Sequence, residues 1–122
     1  MRSVIVIVAL FLAASLTFAQ QPTAHAKPTA EFTKLEKAYK ESKATFAKKP
    51  KDAGVKKKYV SATVAFGTAT MMSASLPPKD KYSGALRLYR EALKFDPKNK
   101  EALENKKMIE DIYKSMGRPI PK

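Results

Sequence analysis

Apolar side chains recur every three or four residues in four segments of this chain, and prolines separate the segments. Such spacing places the apolar side chains on one face of an α-helix. Proline ends a helix because its ring nitrogen carries no hydrogen to donate. The breaks fall at Pro50, at Pro77 with Pro78, and at Pro97. The sequence therefore predicts an all-α fold of about four antiparallel helices.

The apolar face of each predicted helix follows from the spacing. The first helix begins near Glu31, the third spans about residues 80–95 and the fourth about residues 100–116. In chain order the four faces comprise Phe32, Leu35, Tyr39, Ser42 and Phe46; Val55, Tyr59, Ala62, Phe66, Ala69 and Met72; Tyr82, Ala85 or Leu86, Tyr89, and Ala92 or Leu93; and Ala102, Leu103, Ile109, Ile112, Tyr113 and Met116. We expect these faces to form the core.

The second predicted helix is unusual because small residues surround its apolar face. Serine, threonine, alanine and glycine dominate residues 61–74. Small side chains allow neighbouring helices to pack closely on more than one side. We therefore expect this helix to be central, with a neighbour on each side.

The first nineteen residues are typical of a secretory signal peptide. Arg2 precedes an uncharged apolar run, residues 4–19, which is short for a transmembrane helix and ends in small residues. Cleavage is expected after Ala19, with Ala26 as an alternative, and retention of the segment as an anchor stays open. The sequence thus predicts an exported protein, either periplasmic or secreted.

The rest of the chain is long enough for one small domain. Residues 20–30 are polar, contain proline and show no apolar period, so we expect a disordered leader. The helical domain spans residues 31–117, because Gly117 after the last apolar position is a helix stop, and residues 118–122 form a tail. The chain has no cysteine, so buried apolar faces have to hold the fold without disulfides.

The third predicted helix carries small and aromatic residues in a distinctive order and ends at a proline. The small residues are Ala85 and Ala92, the aromatic residue between them is Tyr89, and the proline is Pro97. This order resembles the second helix of a tetratricopeptide repeat. In that family the small residues allow a close approach to the partner helix and the proline ends the helix.

Three further residues extend the resemblance over residues 60–116. Tyr82 matches another aromatic position, and Phe66 followed by Gly67 resembles the bulky residue and glycine of the repeat's first helix. Gly67 and Ala85 are 18 residues apart, where the family has about 12. The resemblance implies helical hairpins with residues 100–116 as a capping helix, and an insertion or a longer helix near Pro77.

The resemblance also implies a non-enzymatic interaction module, an adaptor or scaffold that docks a peptide or protein segment on a concave face. The first helix of the repeat would line that face. On this basis the candidate partner-binding residues are Ser61, Val64, Thr68 and Met71, with Lys107 of the last helix placed to meet a carboxylate of an acidic partner.

Catalytic residues are missing from the predicted domain. His25, the single histidine, lies in the leader, so no histidine is left for a triad or a metal cluster. Adjacent carboxylates such as Glu110 and Asp111 point to different faces of a helix. We expect neither enzyme activity nor a cofactor or metal.

The formal charge of +13 is the remaining chemical feature. Lysines cluster at residues 48–58 and 98–107, around two of the predicted turns. The alternative function is therefore an envelope-associated structural protein that binds an anionic surface of lipid headgroups or cell-wall polymer. Self-association into a homo-oligomer stays open. Nucleic acid is disfavoured because the aromatic residues sit at core positions rather than among the lysines.

Overall fold

The computed structural model describes residues 25–122, which form four α-helices and contain no strand. The helices are α1 (Ala30–Lys48), α2 (Ala53–Met71), α3 (Pro78–Phe95) and α4 (Lys100–Ser115). The predicted all-α class and helix number are confirmed. None of these helices has the length and apolar character needed to cross a membrane. The proposed signal peptide and leader residues 20–24 lie outside the described residues.

Side-chain caps explain where three of the helices begin. The side chains of Thr29, Asp52 and Asn99 each accept a hydrogen bond from the backbone N–H three residues later, at 3.1, 2.9 and 3.0 Å. These bonds satisfy N–H groups that have no partner inside the helix. Helix α3 begins with Pro78 in its first turn, where the missing N–H costs nothing.

The end of α4 depends on one glycine. Gly117 has a φ of +64°, in the left-handed region that an L side chain rarely adopts. Its N–H donates to the Lys114 carbonyl and the N–H of Arg118 donates to the Tyr113 carbonyl, both at 3.0 Å. This pattern closes a helix C-terminus and directs the tail back over the domain. There Ile120 packs against the core, and Arg90 donates to the Pro121 carbonyl at 2.6 Å.

Helix α2 is the central element, as predicted, and packs against α1, α3 and α4. Aromatic rings join it to α1, with centroids 5.4 Å apart for Phe32 and Phe66 and 5.1 Å apart for Phe46 and Tyr59. The order of these pairs shows that the two helices run in opposite directions. Its other buried face, which includes Val60 and Val64, belongs to a core shared with α3 and α4.

Helices α2 and α3 approach each other closely at Gly67. A Cβ atom on this residue would lie 3.0 Å from Cε1 of Tyr89 and 3.4 Å from Cβ of Leu88. Both residues of α3 are buried, as are Ala85 and Ala92 on the same helix. A residue without a side chain is therefore what allows the Tyr89 ring to lie directly on the α2 backbone.

Three residues assigned to the core by spacing are exposed. Met72, Leu103 and Met116 are 74%, 45% and 50% exposed. Met72 and Met116 are C-cap residues at helix ends, and α4 has neighbours on one side only. Their predicted core positions are wrong, because periodicity locates a face but not the extent to which a neighbour covers it.

Candidate functional site

A groove of about 670 Å³ lies at one end of the α1/α2 pair. The N-terminal half of α1 forms one wall and the C-terminal half of α2 forms the floor. Residues from the segment before α1, from the α2–α3 loop and from the start of α4 complete it. The lining residues are Ala26, Lys27, Thr29, Glu31, Phe32, Leu35, Ala65, Thr68, Ala69, Met72, Ser73, Ala74, Ser75 and Glu101.

The floor of this groove is apolar and open. Ala65 and Ala69 stand one turn apart on α2, and their small side chains leave room above the helix. Phe32 and Leu35 form the α1 wall and are half-buried, while Met72 at the end of α2 is mostly exposed. The groove therefore offers apolar surface that no part of residues 25–122 covers.

A hydrogen-bond network fixes a carboxylate at the edge of the groove. Thr68 donates through Oγ1 to Oε1 of Glu101 at 2.7 Å, and the same hydroxyl lies 2.9 Å from the hydroxyl of Tyr89. Asn105 donates to that Tyr89 hydroxyl at 3.0 Å. Burial raises the pKa of Tyr89, so its hydroxyl keeps its proton at neutral pH. The network joins side chains of α2, α3 and α4 and orients the carboxylate of Glu101.

The structure places the predicted partner-binding residues in different environments. Thr68 lines the groove, and Ser61 is exposed on α2 outside it. Val64 and Met71 are only 4% and 9% exposed and belong to the core with α3 and α4. Their predicted outward orientation is wrong, because α2 buries two faces and Val64 and Met71 lie on the second of them.

Lys107 does not line the groove. It lies exposed on α4, and its ammonium group pairs with Asp111 one turn later. The charged residue that α4 contributes to the groove is Glu101. The charge at this position is therefore negative, where the sequence predicted a positive one.

Of the fourteen lining residues the sequence reasoning named only Thr68 as a site residue, and the apolar residues it missed on α1 and at the end of α2 include Phe32, Leu35, Ala65, Ala69 and Met72. The sequence nevertheless contains a helical spacing that marks the α2 residues of the groove. Once two faces of α2 are assigned to neighbours, the third face is marked by Ser61, Ala65, Thr68 and Met72, spaced by four, three and four residues. Phe32 and Leu35 could not be separated from core residues by spacing, since they lie at the edge of the α1 face.

A second polar site lies where Glu91 of α3 meets α1 and α2. The carboxylate of Glu91 accepts hydrogen bonds from the hydroxyls of Tyr39 and Tyr59, and the ammonium group of Lys43 lies 3.0 Å from Oε1. Burial raises the pKa of Glu91, but these hydrogen bonds outweigh burial and hold the pKa below its ordinary value. The carboxylate is thus ionised and engaged, which makes it a structural bridge.

Metal binding has no support in residues 25–122, where no three His, Cys, Asp or Glu side chains come together in a way that could hold an ion. Comparisons of the chain with family models, with curated proteins and with solved structures each find no match. The resemblance to tetratricopeptide repeats therefore stays a prediction, and the proposed function rests on the geometry of the site.

Proposed function

We propose that this protein is a non-enzymatic interaction module whose groove between α1 and α2 docks an apolar peptide segment of another protein. The observation that carries the proposal is the uncovered apolar floor, with Met72 74% exposed beside Ala65 and Ala69. Exposed apolar surface in a concave site favours association, since a ligand removes that surface from water. The groove volume of about 670 Å³ suits a few side chains.

The charges around the groove indicate which peptide it favours. Glu31 and Glu101 contribute carboxylates to its lining, against one lysine, Lys27. Glu101 is held in place by Thr68, so it can meet a cation without reorganising. The preferred segment therefore carries a lysine or arginine next to apolar residues. This preference replaces the acidic partner expected from Lys107.

The resemblance to tetratricopeptide repeats is consistent with this proposal. In such a repeat the small residues of the second helix are buried against the first, and here Ala85 and Ala92 are fully buried. Helix α2 would be the first helix of the repeat, whose open face lines the ligand site. The proposal includes export, which rests on the apolar run at residues 4–19.

The test is selection of binding peptides from a random-peptide phage library, followed by affinity measurements on variants. Ala65→Lys and Met72→Lys place an ammonium group on the apolar floor, where it repels a basic segment. Leu103→Lys is the matched control, because Leu103 is also an exposed apolar residue but does not line the groove. Circular dichroism checks that all three variants keep their helices.

We expect the selected peptides to combine apolar residues with lysine or arginine, and to lose at least about tenfold in affinity for both groove variants. Leu103→Lys should bind them like the unchanged protein. The proposal fails if no peptide is enriched, or if the enriched peptides bind Met72→Lys and Leu103→Lys equally well.

A further inference from the structure

A concave surface with many cations lies between α1, α2, α3 and the last residue of the chain. It has a volume of about 490 Å³. Its basic residues are Lys43, Arg87, Arg90, Lys94 and Lys122, and its single acidic residue is Glu91. We call this surface the cationic bowl. It is separate from the two lysine clusters that the sequence places at the turns.

The carboxylate in the bowl does not neutralise its rim. Glu91 is only 15% exposed, and its oxygens accept hydrogen bonds from Tyr39, Tyr59 and Lys43. The guanidinium of Arg87 lies 3.8 Å from Glu91, beyond hydrogen-bond distance, and is 66% exposed. Glu91 is therefore held at the floor of the bowl by its hydrogen bonds, and the rim keeps an excess of positive charge.

Two rim cations are only lightly engaged. The side chains of Arg87 and Lys94 make no hydrogen bond within the part of the chain that the structure describes. Lys94 has no ion pair there, and Arg87 has the long one with Glu91 at 3.8 Å. Arg90 is partly engaged, since it donates to the Pro121 carbonyl and lies 3.8 Å from Glu110. Because Arg87 and Lys94 are two turns apart on α3, they project from the same face.

The arginines are concentrated at this surface. Residues 25–122 contain three, and Arg87 and Arg90 both line the bowl, while lysine supplies nearly all the other positive charge. A guanidinium presents two parallel N–H groups that match the oxygens of phosphate, whereas an ammonium acts as a point charge. Phe95 adds an apolar patch to the wall.

We propose that the cationic bowl binds a phosphate ester, with Arg87 and Lys94 holding the phosphate and Phe95 contacting its organic part. The bowl is an open concavity of about 490 Å³, which has room for one headgroup-sized ligand. A nucleic acid would need several exposed aromatic faces for base stacking, whereas Tyr59 in this wall is buried and Phe95 is only partly exposed. The ligand can be a soluble phosphate ester or a lipid headgroup.

The test compares two double variants of the full chain that lose the same charge. Arg87→Gln with Lys94→Gln removes the two available bowl cations. Lys34→Gln with Lys114→Gln is the control, because both lysines are exposed and lie outside the bowl. The probes are glycerol phosphate in calorimetry, vesicles of phosphatidylglycerol or phosphatidylcholine in sedimentation, and oligoglutamate as an acidic peptide. All proteins keep residues 1–24, so any membrane insertion by that segment affects them equally.

We expect the unchanged protein and the control to bind a phosphate probe alike, and the bowl variant to bind it about tenfold more weakly or worse. Binding of glycerol phosphate assigns a soluble ester, while the same variant dependence on phosphatidylglycerol vesicles alone assigns a lipid headgroup. An equal loss in both double variants overturns the proposal, because diffuse attraction would then explain the binding. So does an affinity for oligoglutamate that matches the phosphate probes.

Discussion

The hydroxyl of Tyr39 on α1 lies 3.0 and 2.9 Å from the two carboxylate oxygens of Glu91 on α3. The two helices have no Cα atoms within 8 Å of each other, since α2 and its side chains separate them. The Tyr39–Glu91 contact therefore joins α1 and α3, the two helices that flank α2. Because Glu91 is ionisable, the contribution of this contact to stability depends on pH.

Glu91→Gln should destabilise the protein by about 1–3 kcal/mol at neutral pH, because it removes the charge from an acceptor shared by two buried tyrosine hydroxyls and the exposed ammonium group of Lys43. In the unchanged protein the pKa of Glu91 is lowered, so its stabilisation is present above the ordinary value of 4.5 and is lost as pH falls through the lowered pKa. Urea unfolding at neutral and at acid pH measures both effects. A variant whose acid sensitivity equals that of the unchanged protein would contradict this assignment.

Tyr59→Phe should make the stability of the protein less sensitive to alkaline pH. Burial, followed by the contact with Glu91, raises the pKa of Tyr59 above 10.0. The neutral hydroxyl is favoured in the fold, so its contribution is complete below pH 10 and is lost as pH rises toward the raised pKa. We expect Tyr59→Phe to lose about 1 kcal/mol at neutral pH and to show a flatter decline above pH 10. Denaturant midpoints measured from neutral pH to above pH 10 test this prediction. An equally steep decline for Tyr59→Phe and for the unchanged protein would contradict it.

Gly67→Ala should destabilise the protein more than Gly84→Ala does. The added methyl group at residue 67 would lie 3.0 Å from the ring of Tyr89, whose hydroxyl is tied to Thr68 and Asn105. Overpacking costs about 1–3 kcal/mol, against a gain of about 1 kcal/mol in helix propensity. At Gly84 the nearest atom is one methyl carbon of Thr70 at 3.3 Å, which has to move by only a few tenths of an ångström. Thermal unfolding of both variants gives the order.

Met71→Glu and Met72→Glu form a neighbouring pair with opposite expected outcomes. Met71 is 9% exposed and packs in the core, while Met72 is 74% exposed. A carboxylate at residue 71 should cost at least about 3 kcal/mol, and one at residue 72 less than about 0.5 kcal/mol. Urea midpoints test the difference. Comparable losses for the two variants would mean that the end of α2 is packed differently.

Much of the fold could be predicted from the sequence because its determinants are local. Helix number and approximate ends depend on apolar spacing and on the prolines, which act within a few residues. The central position of α2 was also predictable, since small residues on several faces permit two neighbours. The site was less accessible. Of the candidate partner-binding residues only Thr68 lines the groove, and the carboxylate that Thr68 holds there comes from Glu101, 33 residues farther along the chain.

What the sequence by itself determined is therefore the set of helices and where each begins and ends. Only the tertiary structure decided which face of α2 stays open, so that Met71 is buried while Met72 is exposed. It also brought Tyr39 to Glu91 across 52 residues and placed Arg87 and Lys94 at one rim. The physical reason is that hydrogen bonding and capping within a helix are set by near neighbours, whereas burial and charge clustering depend on how helices pack against each other.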